Sequence, residues 1–474
     1  MKKIILLNPP SPPGKVSNKD MMGGFGQLYS YSEDRIPVID LAYAGAILKQ
    51  NNVNFRIIDA VGEGISLQNV ISALKDENPE FVAVRTSTPT FNWDVHVCQK
   101  IKSNIKCKII IFGPHCSIFP KDCIELDCID FVINCEPEFT IFDILNKKPS
   151  QVKGIYFKHN GQKVKTTDRP KIENLDSLPY PAWESMPYRN YSAGSLVKNK
   201  KPFVTMLSSR GCPFACDYCP YPISEGTKWR AMSPKRVVDE MEYLANKLGV
   251  RSVLFRDPIF TLDRRRVENI CNELISRKIN LLWRVETRID CIDEKLIKKM
   301  NSAGCIGINF GIESADLNVL KKVGRKSFSQ EKVKEVINAC KNLKMDTFLF
   351  FIIGLPGDTK ESIFKTIKLA KELDPEFCQF TVATPYPGTK LAKWAAEKGF
   401  MECNKSDSIG CDASMRNEAL TAKKIKLLSD YASFSLIVRK REMKRRAKEG
   451  VKGVMKNIAA LLLYCYFALR VLII

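Results

Sequence analysis

The apolar positions of the first 146 residues form short runs that alternate with segments in which apolar side chains recur at helical spacing. Strands are predicted at 3–7, 53–60, 81–85, 108–112 and 131–133, and helices at 39–50, 67–75, 94–105 and 139–145. Strands that alternate with helices in this way form a parallel sheet with helices on both faces, and such sheets bind ligands at the carboxyl ends of their strands. No G-x-G-x-x-G motif follows the first strand, so a dinucleotide is not indicated.

This rhythm stops after residue 146 and resumes after residue 200. In between, His159-Asn160-Gly161 predicts a hairpin turn, and the proline-rich stretch 178–187 predicts an extended linker laid over a surface. Six further strands are then predicted at 203–207, 252–256, 281–285, 305–311, 347–353 and 377–383. Amphipathic helices separate them, for example 234–248 and 329–343. Six βα units predict a partial barrel whose site lies at the carboxyl ends of the strands.

The pattern therefore predicts an α/β protein with five successive regions. They are an α/β domain with a flavodoxin-like (Rossmann-type) parallel sheet at 1–146, a hairpin and linker at 147–200, a partial (β/α)6 TIM-type barrel at 201–395, a helical extension at 396–438 and a basic, then apolar, tail at 439–474. A length of 474 residues provides ample material for two or three such domains.

Composition adds a question about partners. The chain has 74 Lys and Arg against 52 Asp and Glu, a formal charge of +22, which favours nucleic acid, anionic lipid or an acidic redox partner. The alternative is a lysine-rich composition without functional meaning. The first residues do not resemble a signal peptide, so a cytoplasmic location is expected, and the 17 cysteines are then metal ligands or small buried side chains instead of disulfides.

Three of these cysteines form a compact motif directly after the first barrel strand. The segment 208–220 reads SSRGCPFACDYCP and places Cys212, Cys216 and Cys219 in a C-x3-C-x2-C arrangement. At this cysteine content about 0.02 such matches are expected by chance in a chain of this length. Three thiolates favour a soft metal, and no fourth Cys or His lies nearby to close a structural zinc site. An iron–sulfur cubane held by three thiolates keeps one iron open for a substrate.

In this motif, including the aromatic Tyr218 before the last cysteine, the chain resembles the radical SAM superfamily. The resemblance implies a [4Fe-4S] cluster whose open iron binds S-adenosylmethionine (SAM). One electron from a low-potential donor, such as ferredoxin or flavodoxin, then cleaves SAM to a 5′-deoxyadenosyl radical. A structural zinc loop is the alternative for the three cysteines.

Further segments at successive strand ends resemble the same superfamily. The residues that the resemblance assigns to SAM are Tyr218, Asp257, Arg288, Glu313, Ser314, Gly354 and Pro385. Asp257 stands where the superfamily usually has a Gly-Gly-Glu and resembles the substitute found in cobalamin-linked members. For the glycine and the proline, ordinary turn chemistry is the alternative explanation.

An α/β domain in front of such a barrel resembles the arrangement of the cobalamin (B12)-binding subfamily. The residues assigned to cobalamin by this resemblance are Asn8, Pro9, Pro10, Gly113, His115 and Glu136. The subfamily usually has glycine at the positions of Cys135 and Pro137, which is a departure. His96, in a D-x-H-x-x sequence, is predicted to be an ordinary helix residue, so no protein imidazole is expected on cobalt. The alternative is a degenerate domain that packs against the barrel without a corrin.

The tail changes composition abruptly. Residues 439–456 contain nine Lys or Arg and two Glu, and 458–474 are apolar apart from Arg470. A basic stretch beside an apolar helix is typical of an interfacial membrane anchor. A terminal helix packed on the barrel is the alternative. Nucleic acid is not favoured, because basic and aromatic residues are segregated and not interleaved.

The sequence thus predicts a cobalamin-dependent radical SAM enzyme that methylates, rearranges or couples an unactivated carbon of a lipid or isoprenoid-type substrate. One alternative keeps the radical chemistry without methyl transfer, and another is a non-enzymatic, membrane-associated iron–sulfur protein. Cys378, Cys403 and Cys411 lie late in the chain with spacings that match no compact ligand motif, so they are predicted to be structural.

Overall fold

A computed structural model describes residues 2–29, 32, 34–198, 200–326, 328–402 and 413–473. The strands are β1 Lys3–Asn8, β2 Val16–Asn18, β3 Gln27–Tyr29, β4 Asn54–Asp59, β5 Phe81–Arg85, β6 Lys108–Phe112, β7 Phe131–Ile133, β8 Ile155–His159, β9 Gln162–Lys165, β10 Phe203–Met206, β11 Ser209–Arg210, β12 Arg230–Ala231, β13 Ser252–Phe255, β14 Leu282–Thr287, β15 Cys305–Glu313, β16 Asp346–Ile353 and β17 Phe377–Val382.

The helices are α1 Ile39–Gln50, α2 Ala60–Glu63, α3 Leu67–Glu77, α4 Phe91–Asn104, α5 Pro114–Ile118, α6 Pro120–Glu125, α7 Pro137–Asn146, α8 Tyr221–Glu225, α9 Pro234–Asn246, α10 Arg264–Ser276, α11 Glu294–Ser302, α12 Leu317–Lys322, α13 Gln330–Asn342, α14 Lys360–Leu373, α15 Lys390–Glu397, α16 Ala422–Ile437, α17 Lys440–Ala447 and α18 Val451–Ile473. The chain forms two compact units, the first comprising 1–213, 220–285 and 302–304, and the second 214–219, 286–301 and 305–474.

The first unit contains the predicted N-terminal sheet. Its strand order is β4-β1-β5-β6-β7-β8-β9, with parallel pairs from β4 to β7 and antiparallel pairs where the hairpin β8–β9 extends the edge. The central strands β1 and β5 are rich in Ile, Leu and Val and are buried almost throughout, as strands covered on both faces must be. The order reverses between β1 and β5, which places a ligand crevice beyond their carboxyl ends.

The second alternation of strands and helices is divided between the two units. In the first unit β10, β13 and β14 are parallel neighbours in chain order, and in the second unit β15, β16 and β17 are likewise parallel neighbours. The helices between them begin at side-chain caps, for example Ser233 before α9 and Thr359 before α14. Both halves have the strand order and direction of the predicted partial (β/α)6 barrel.

Two local predictions differ from the structure. Helix α4 begins at Phe91, three residues before the predicted start, because a 3₁₀ turn at Thr88–Thr90 leads directly into it. The proline-rich segment 178–187 is not extended throughout, because a 3₁₀ turn at Trp183–Ser185 interrupts it, and the Trp183 side chain is fully buried within the first unit. The predicted hairpin is confirmed as β8–β9, and a second hairpin, β2–β3, was not predicted.

The second unit ends in the predicted helical tail. Helix α18 packs against α16, with Tyr464 stacked on Tyr431 and Phe467 stacked on Phe434 at ring-centroid distances of 5.6 and 5.3 Å. Among the described residues, α18 is the one helix long and apolar enough to cross a membrane by length and composition, and 17% of its most apolar window is buried.

Candidate active site

The loop that carries the cysteine motif begins at a position where a side chain has no room. Gly211 adopts a φ of +84°, and a Cβ atom there would lie 2.1 Å from the carbonyl oxygen of Lys228. Its N–H donates to Glu225 Oε2 at 3.0 Å, and the N–H of Cys212 donates to the Gly226 carbonyl at 3.0 Å. The residues from β11 to β12 therefore fix the backbone on which Cys212 stands.

The three cysteines of the motif are distributed over the two units. Cys212 is buried in the first unit, and Cys216 and Cys219 lie in the second, joined by a turn in which the Cys219 N–H donates to the Cys216 carbonyl at 3.1 Å. In the part of the chain that the structure describes, no three His, Cys, Asp or Glu side chains already form a metal site. The three thiolates as iron ligands therefore stay a prediction.

Two buried guanidinium groups face the sulfur of Cys216. Arg325 Nη1 lies 3.9 Å and Arg288 Nη1 lies 4.0 Å from Sγ. Arg288 also stacks on the Phe214 ring at 4.0 Å and is held by Asp290 through two bonds of 2.8 and 2.9 Å. Positive charge and N–H donors beside a ligating sulfur stabilise the negative charge of an iron–sulfur cluster. These residues fit an anionic, thiolate-bound cluster. Arg288 was assigned to SAM in sequence, whereas Arg325 was missed because it lies in a loop without a motif.

Glu313, at the end of β15, has a conformation that marks a constrained position. Its φ is +68°, a region that costs a non-glycine residue about 1 to 3 kcal/mol and that surrounding contacts must maintain. Burial raises the pKa of its carboxyl, and the guanidinium of Arg325, 3.5 Å away, acts in the opposite direction. The carboxylate expected near the ribose or methionine of SAM is thus positioned in the same unit as Cys216.

The ends of the fifth and sixth barrel strands pack on the same part of the second unit. Leu355, which follows Gly354, and Ala383, two residues before Pro385, form a hydrophobic cluster with Cys216 and Tyr218. Gly354 has a φ of +90°, and a Cβ there would meet a methyl group of Ile425 at 2.7 Å. The structure therefore brings the strand ends of Gly354 and Pro385 to the motif loop.

Ser314 and Asp257 are engaged within their own units. The Ser314 hydroxyl accepts from the Asp316 N–H at 3.1 Å and lies 3.3 Å from the Thr366 hydroxyl. Asp257 is fully buried and accepts three bonds of 2.5 to 2.8 Å from Ser208 and Ser209, directly before the cysteine loop. In this structure Asp257 positions the end of the first barrel strand, and a contact to SAM stays a prediction.

A buried ion-pair network joins the cysteine loop to the N-terminal sheet within the first unit. Arg210, two residues before Cys212, donates to Glu138 Oε1 at 2.5 Å and lies 3.5 Å from Glu136 Oε1, which also accepts from Arg230 at 2.8 Å. Although burial alone would raise it, the pKa of Glu136 is lowered because Arg210 and Arg230 face the carboxylate. Burial raises the pKa of Glu138, and Arg210 offsets part of that effect.

The same network lines a cavity of about 90 Å³ in the first unit. Its walls include the strand-end residues Gly113 and Glu136, with Arg85, Asp20 and Gly24. Glu138 Oε2 is buried there without a hydrogen-bond partner among the described residues, and Gly113 lies so close to the Thr86 carbonyl that a Cβ would be only 2.3 Å from its oxygen. These donors and acceptors fit the amide rim of a corrin. At about 90 Å³ the cavity holds only a few water molecules, so its walls offer polar partners for a corrin but not the space that a corrin occupies.

The other residues assigned to cobalamin lie away from these walls. Asn8 is buried and donates to Asp59 at 2.7 Å, and Pro10 accepts from the Trp93 indole at 2.8 Å. Pro9, between them, is also buried. His115 is buried, stacks on Phe91 at 3.9 Å and has a pKa lowered to about 4 by burial. His115 is therefore a packed side chain, and its assignment to cobalamin stays a prediction.

Of the three late cysteines, Cys378 lies among the described residues. Burial raises the pKa of the Cys378 thiol on β17, which agrees with a structural role. Cys403 and Cys411 lie outside the described residues.

Glu225 gives the cysteine loop a predicted pH response. Burial raises its pKa from an ordinary 4.5 to about 7, although the hydrogen bond from the Gly211 N–H and the charge of Arg210 act to lower the pKa. The folded state therefore prefers the protonated carboxyl, and the stabilisation is lost as the pH rises through 7. When the pH rises from 5 to 8, the free energy of unfolding of the wild type should fall by about 2.5 kcal/mol more than that of Glu225→Gln, as measured by urea unfolding. The exposed Glu397→Gln is the control. Equal pH dependence in all three proteins contradicts the assignment.

Comparison with protein families supports the sequence resemblance. Residues 206–370 match the model of the radical SAM superfamily. The chain is 30% identical over 98% of its length to an uncharacterized methyltransferase of Pyrococcus horikoshii, 99% of which is covered. A second relative is the anaerobic magnesium-protoporphyrin IX monomethyl ester cyclase of Cereibacter sphaeroides. The two sequences are 28% identical over 73% of this chain and 58% of the cyclase.

Two solved structures have the same fold. The radical SAM methyltransferase TsrM of Kitasatospora setae, solved with cobalamin and a [4Fe-4S] cluster, aligns with a TM-score of 0.67 and 18% identity over 84% of this chain and 78% of that one. The cobalamin-dependent radical SAM enzyme OxsB, solved with aqua-cobalamin and SAM, aligns with a TM-score of 0.71 and 14% identity over 99% of this chain and 71% of that one. Both confirm the predicted Rossmann-type sheet and partial barrel. The chain belongs to the radical SAM superfamily, in the enzyme family whose members carry a cobalamin-binding domain ahead of the barrel.

Proposed function

We propose that this enzyme is a cobalamin-dependent radical SAM methyltransferase acting on an unactivated carbon. The observation that carries the proposal is the buried network of Arg210, Glu136 and Glu138, which ties the cysteine loop to the strand ends where a corrin is expected. Cys212, Cys216 and Cys219 would hold a [4Fe-4S] cluster, which supplies the electron that cleaves SAM. Cobalamin, held by Gly113, Glu136 and Glu138, would supply a transferable methyl group.

The residues around Cys216 would perform the binding steps. Arg288 and Arg325 place two positive charges beside the sulfur, and Glu313 presents a carboxylate in the same unit. This arrangement suits SAM, because the guanidinium groups could pair with its carboxylate and the carboxylate of Glu313 could pair with its positively charged groups. A low-potential protein such as ferredoxin or flavodoxin would supply the electron, and the charge of +22 favours such an acidic donor.

The substrate that we propose is a lipid or isoprenoid-type molecule, met at the cytoplasmic surface of a membrane. The support is the apolar helix α18, which leaves most of its surface uncovered. The relative from Cereibacter sphaeroides is named a cyclase and not a methyltransferase, so radical chemistry that forms a bond without methyl transfer is the second candidate.

Corrin binding can be tested without turnover. Ser117 lines the cavity, and Ser117→Phe would fill it, whereas Ser103→Phe places the same side chain on an exposed turn of α4. After expression with hydroxocobalamin, we expect about one extractable corrin per chain in the wild type and in Ser103→Phe, and at least ~10-fold less in Ser117→Phe. A wild type without corrin favours a degenerate domain, and equal corrin in all three proteins places the site elsewhere.

A further inference from the structure

The exposed apolar side chains of this protein are concentrated on one helix. Among the described residues, fourteen large hydrophobic side chains are exposed, and eleven of them lie on α18. Leu462 and Leu469 are 66% and 65% exposed. Scattered exposed leucines need no explanation, but a contiguous apolar surface marks a binding surface. An apolar helix surface of this kind needs a nonaqueous partner.

The packing of α18 defines which face is uncovered. Six positions at a spacing of three or four residues face inward and are buried or half-buried: Gly453, Asn457, Ala460, Tyr464, Phe467 and Val471. They form one seam, which includes the stacked rings on α16. The opposite side, hereafter the outer face, consists of Met455, Ile458, Leu462, Tyr466, Leu469 and Ile473, all of them exposed. The helix is therefore held from one side and open on the other.

Basic residues accompany the outer face. At 100° per residue, Lys452, Lys456 and Arg470 fall within about 40° of one another on one flank of α18. Lys444 on α17 and Lys448 after it are exposed as well. Residues 439–456 have a net charge of +7, from nine Lys or Arg and two Glu. An apolar face with a cationic flank is complementary to a bilayer surface that contains anionic lipid.

The same features favour an interfacial arrangement of this helix over a membrane-spanning one. The uncharged stretch between Lys456 and Arg470 has thirteen residues and is about 20 Å long, against about 30 Å of hydrocarbon in a bilayer. One side of it is already occupied by α16. We infer that the outer face of α18 binds the surface of an anionic lipid bilayer, lying in the plane of the interface with its basic flank at the headgroups. This inference concerns where the enzyme works and does not depend on its chemistry.

Flotation with lipid vesicles tests the inference on the full chain. We expect the wild type to float with vesicles of phosphatidylcholine and phosphatidylglycerol, less with phosphatidylcholine alone, and to be released by high salt. Leu462→Glu with Leu469→Glu should abolish flotation. Ile275→Glu with Leu317→Glu, at two exposed positions outside the tail, should leave it unchanged. Lys444→Gln with Lys448→Gln and Lys452→Gln should weaken partitioning to anionic vesicles roughly 100-fold, since each cation near such a surface contributes about fivefold.

The inference is overturned if the wild type does not float with anionic vesicles, or if the double leucine variant floats as the wild type does. It is also overturned if sedimentation shows that the wild type is a dimer and the double leucine variant a monomer, while neither protein floats. In that case a second copy of the chain covers the outer face. Vesicle binding requires neither cluster nor corrin. A failure here therefore leaves the proposed methyl transfer standing but removes the support for a lipid substrate, and a failure of methyl transfer leaves the membrane-binding surface standing.

Discussion

Replacement of Cys216 by alanine is expected to reduce SAM cleavage to background. The variant removes one of three thiolates and leaves the guanidinium groups of Arg288 and Arg325 facing an empty position. Two remaining thiolates do not hold a cubane cluster, so iron and sulfide should fall together. The measurement is the rate of 5′-deoxyadenosine formation after anaerobic reconstitution, with iron and acid-labile sulfide determined per chain.

A second cysteine variant separates a ligand from a packing residue. Cys271 is fully buried on α10 and lies outside the motif. Its replacement by alanine should lower stability by about 1 kcal/mol and leave the iron content and the rate of 5′-deoxyadenosine formation unchanged. A Cys216→Ala protein that forms 5′-deoxyadenosine at the wild-type rate would remove the basis for the cluster assignment.

The second large effect is expected at Arg210. Arg210→Met leaves Glu138 and Glu136 buried with less compensating charge, and breaking a buried ion pair from one side costs about 3 to 5 kcal/mol. The stability of the first unit should fall by that amount, measured as a lower urea midpoint in circular dichroism. Because Arg210 precedes the cysteine loop, the variant should also reconstitute less iron.

The matched control is an ion pair on the surface. Lys228 pairs with Glu173 at 2.5 Å, but the two side chains are 73% and 63% exposed. Lys228→Met should change stability by about 0 to 1 kcal/mol, because solvent already screens this pair. Equal effects of the two substitutions would mean that the Arg210 network contributes no more than a surface contact does.

The sequence predicted the features that depend on local patterns. The apolar runs of β1, β5 and β6 are buried strands, and the helical spacing of 39–50 and 67–75 corresponds to α1 and α3. The cysteine motif is also local, since its spacing and the aromatic Tyr218 are contiguous in the chain. These signals need no knowledge of tertiary contacts.

The features that escaped prediction depend on residues far apart in the chain. Arg210 and Glu138 are separated by 72 positions, and Arg325 and Cys216 by 109, so neither pair has a sequence signature. The positive φ of Glu313 follows from its contacts and not from its residue type. The available sequence signal for the crowded backbone positions was the residue type of Gly113 and Gly211, because at each of them a Cβ would clash with a carbonyl oxygen.

His115 shows that the direction of a strand-end side chain depends on the element that follows the strand. The side chain packs against Phe91 and Phe119, because α5 begins directly at Pro114, and its contact with cobalamin stays a prediction. Residues at the carboxyl end of a strand face the crevice or the core according to the helix that follows. That helix of five residues was not predicted.

Cobalamin-dependent methylation is tested by following the methyl group of SAM into products. The reconstituted, corrin-loaded enzyme would be incubated with reductant, SAM carrying a deuterated methyl group, and a lipid extract. Methylation through cobalamin would consume one SAM as methyl donor and one as radical source. We therefore expect S-adenosylhomocysteine and 5′-deoxyadenosine in equal amounts, together with a lipid that carries the deuterated methyl group. Formation of 5′-deoxyadenosine without S-adenosylhomocysteine or a labelled product would contradict it.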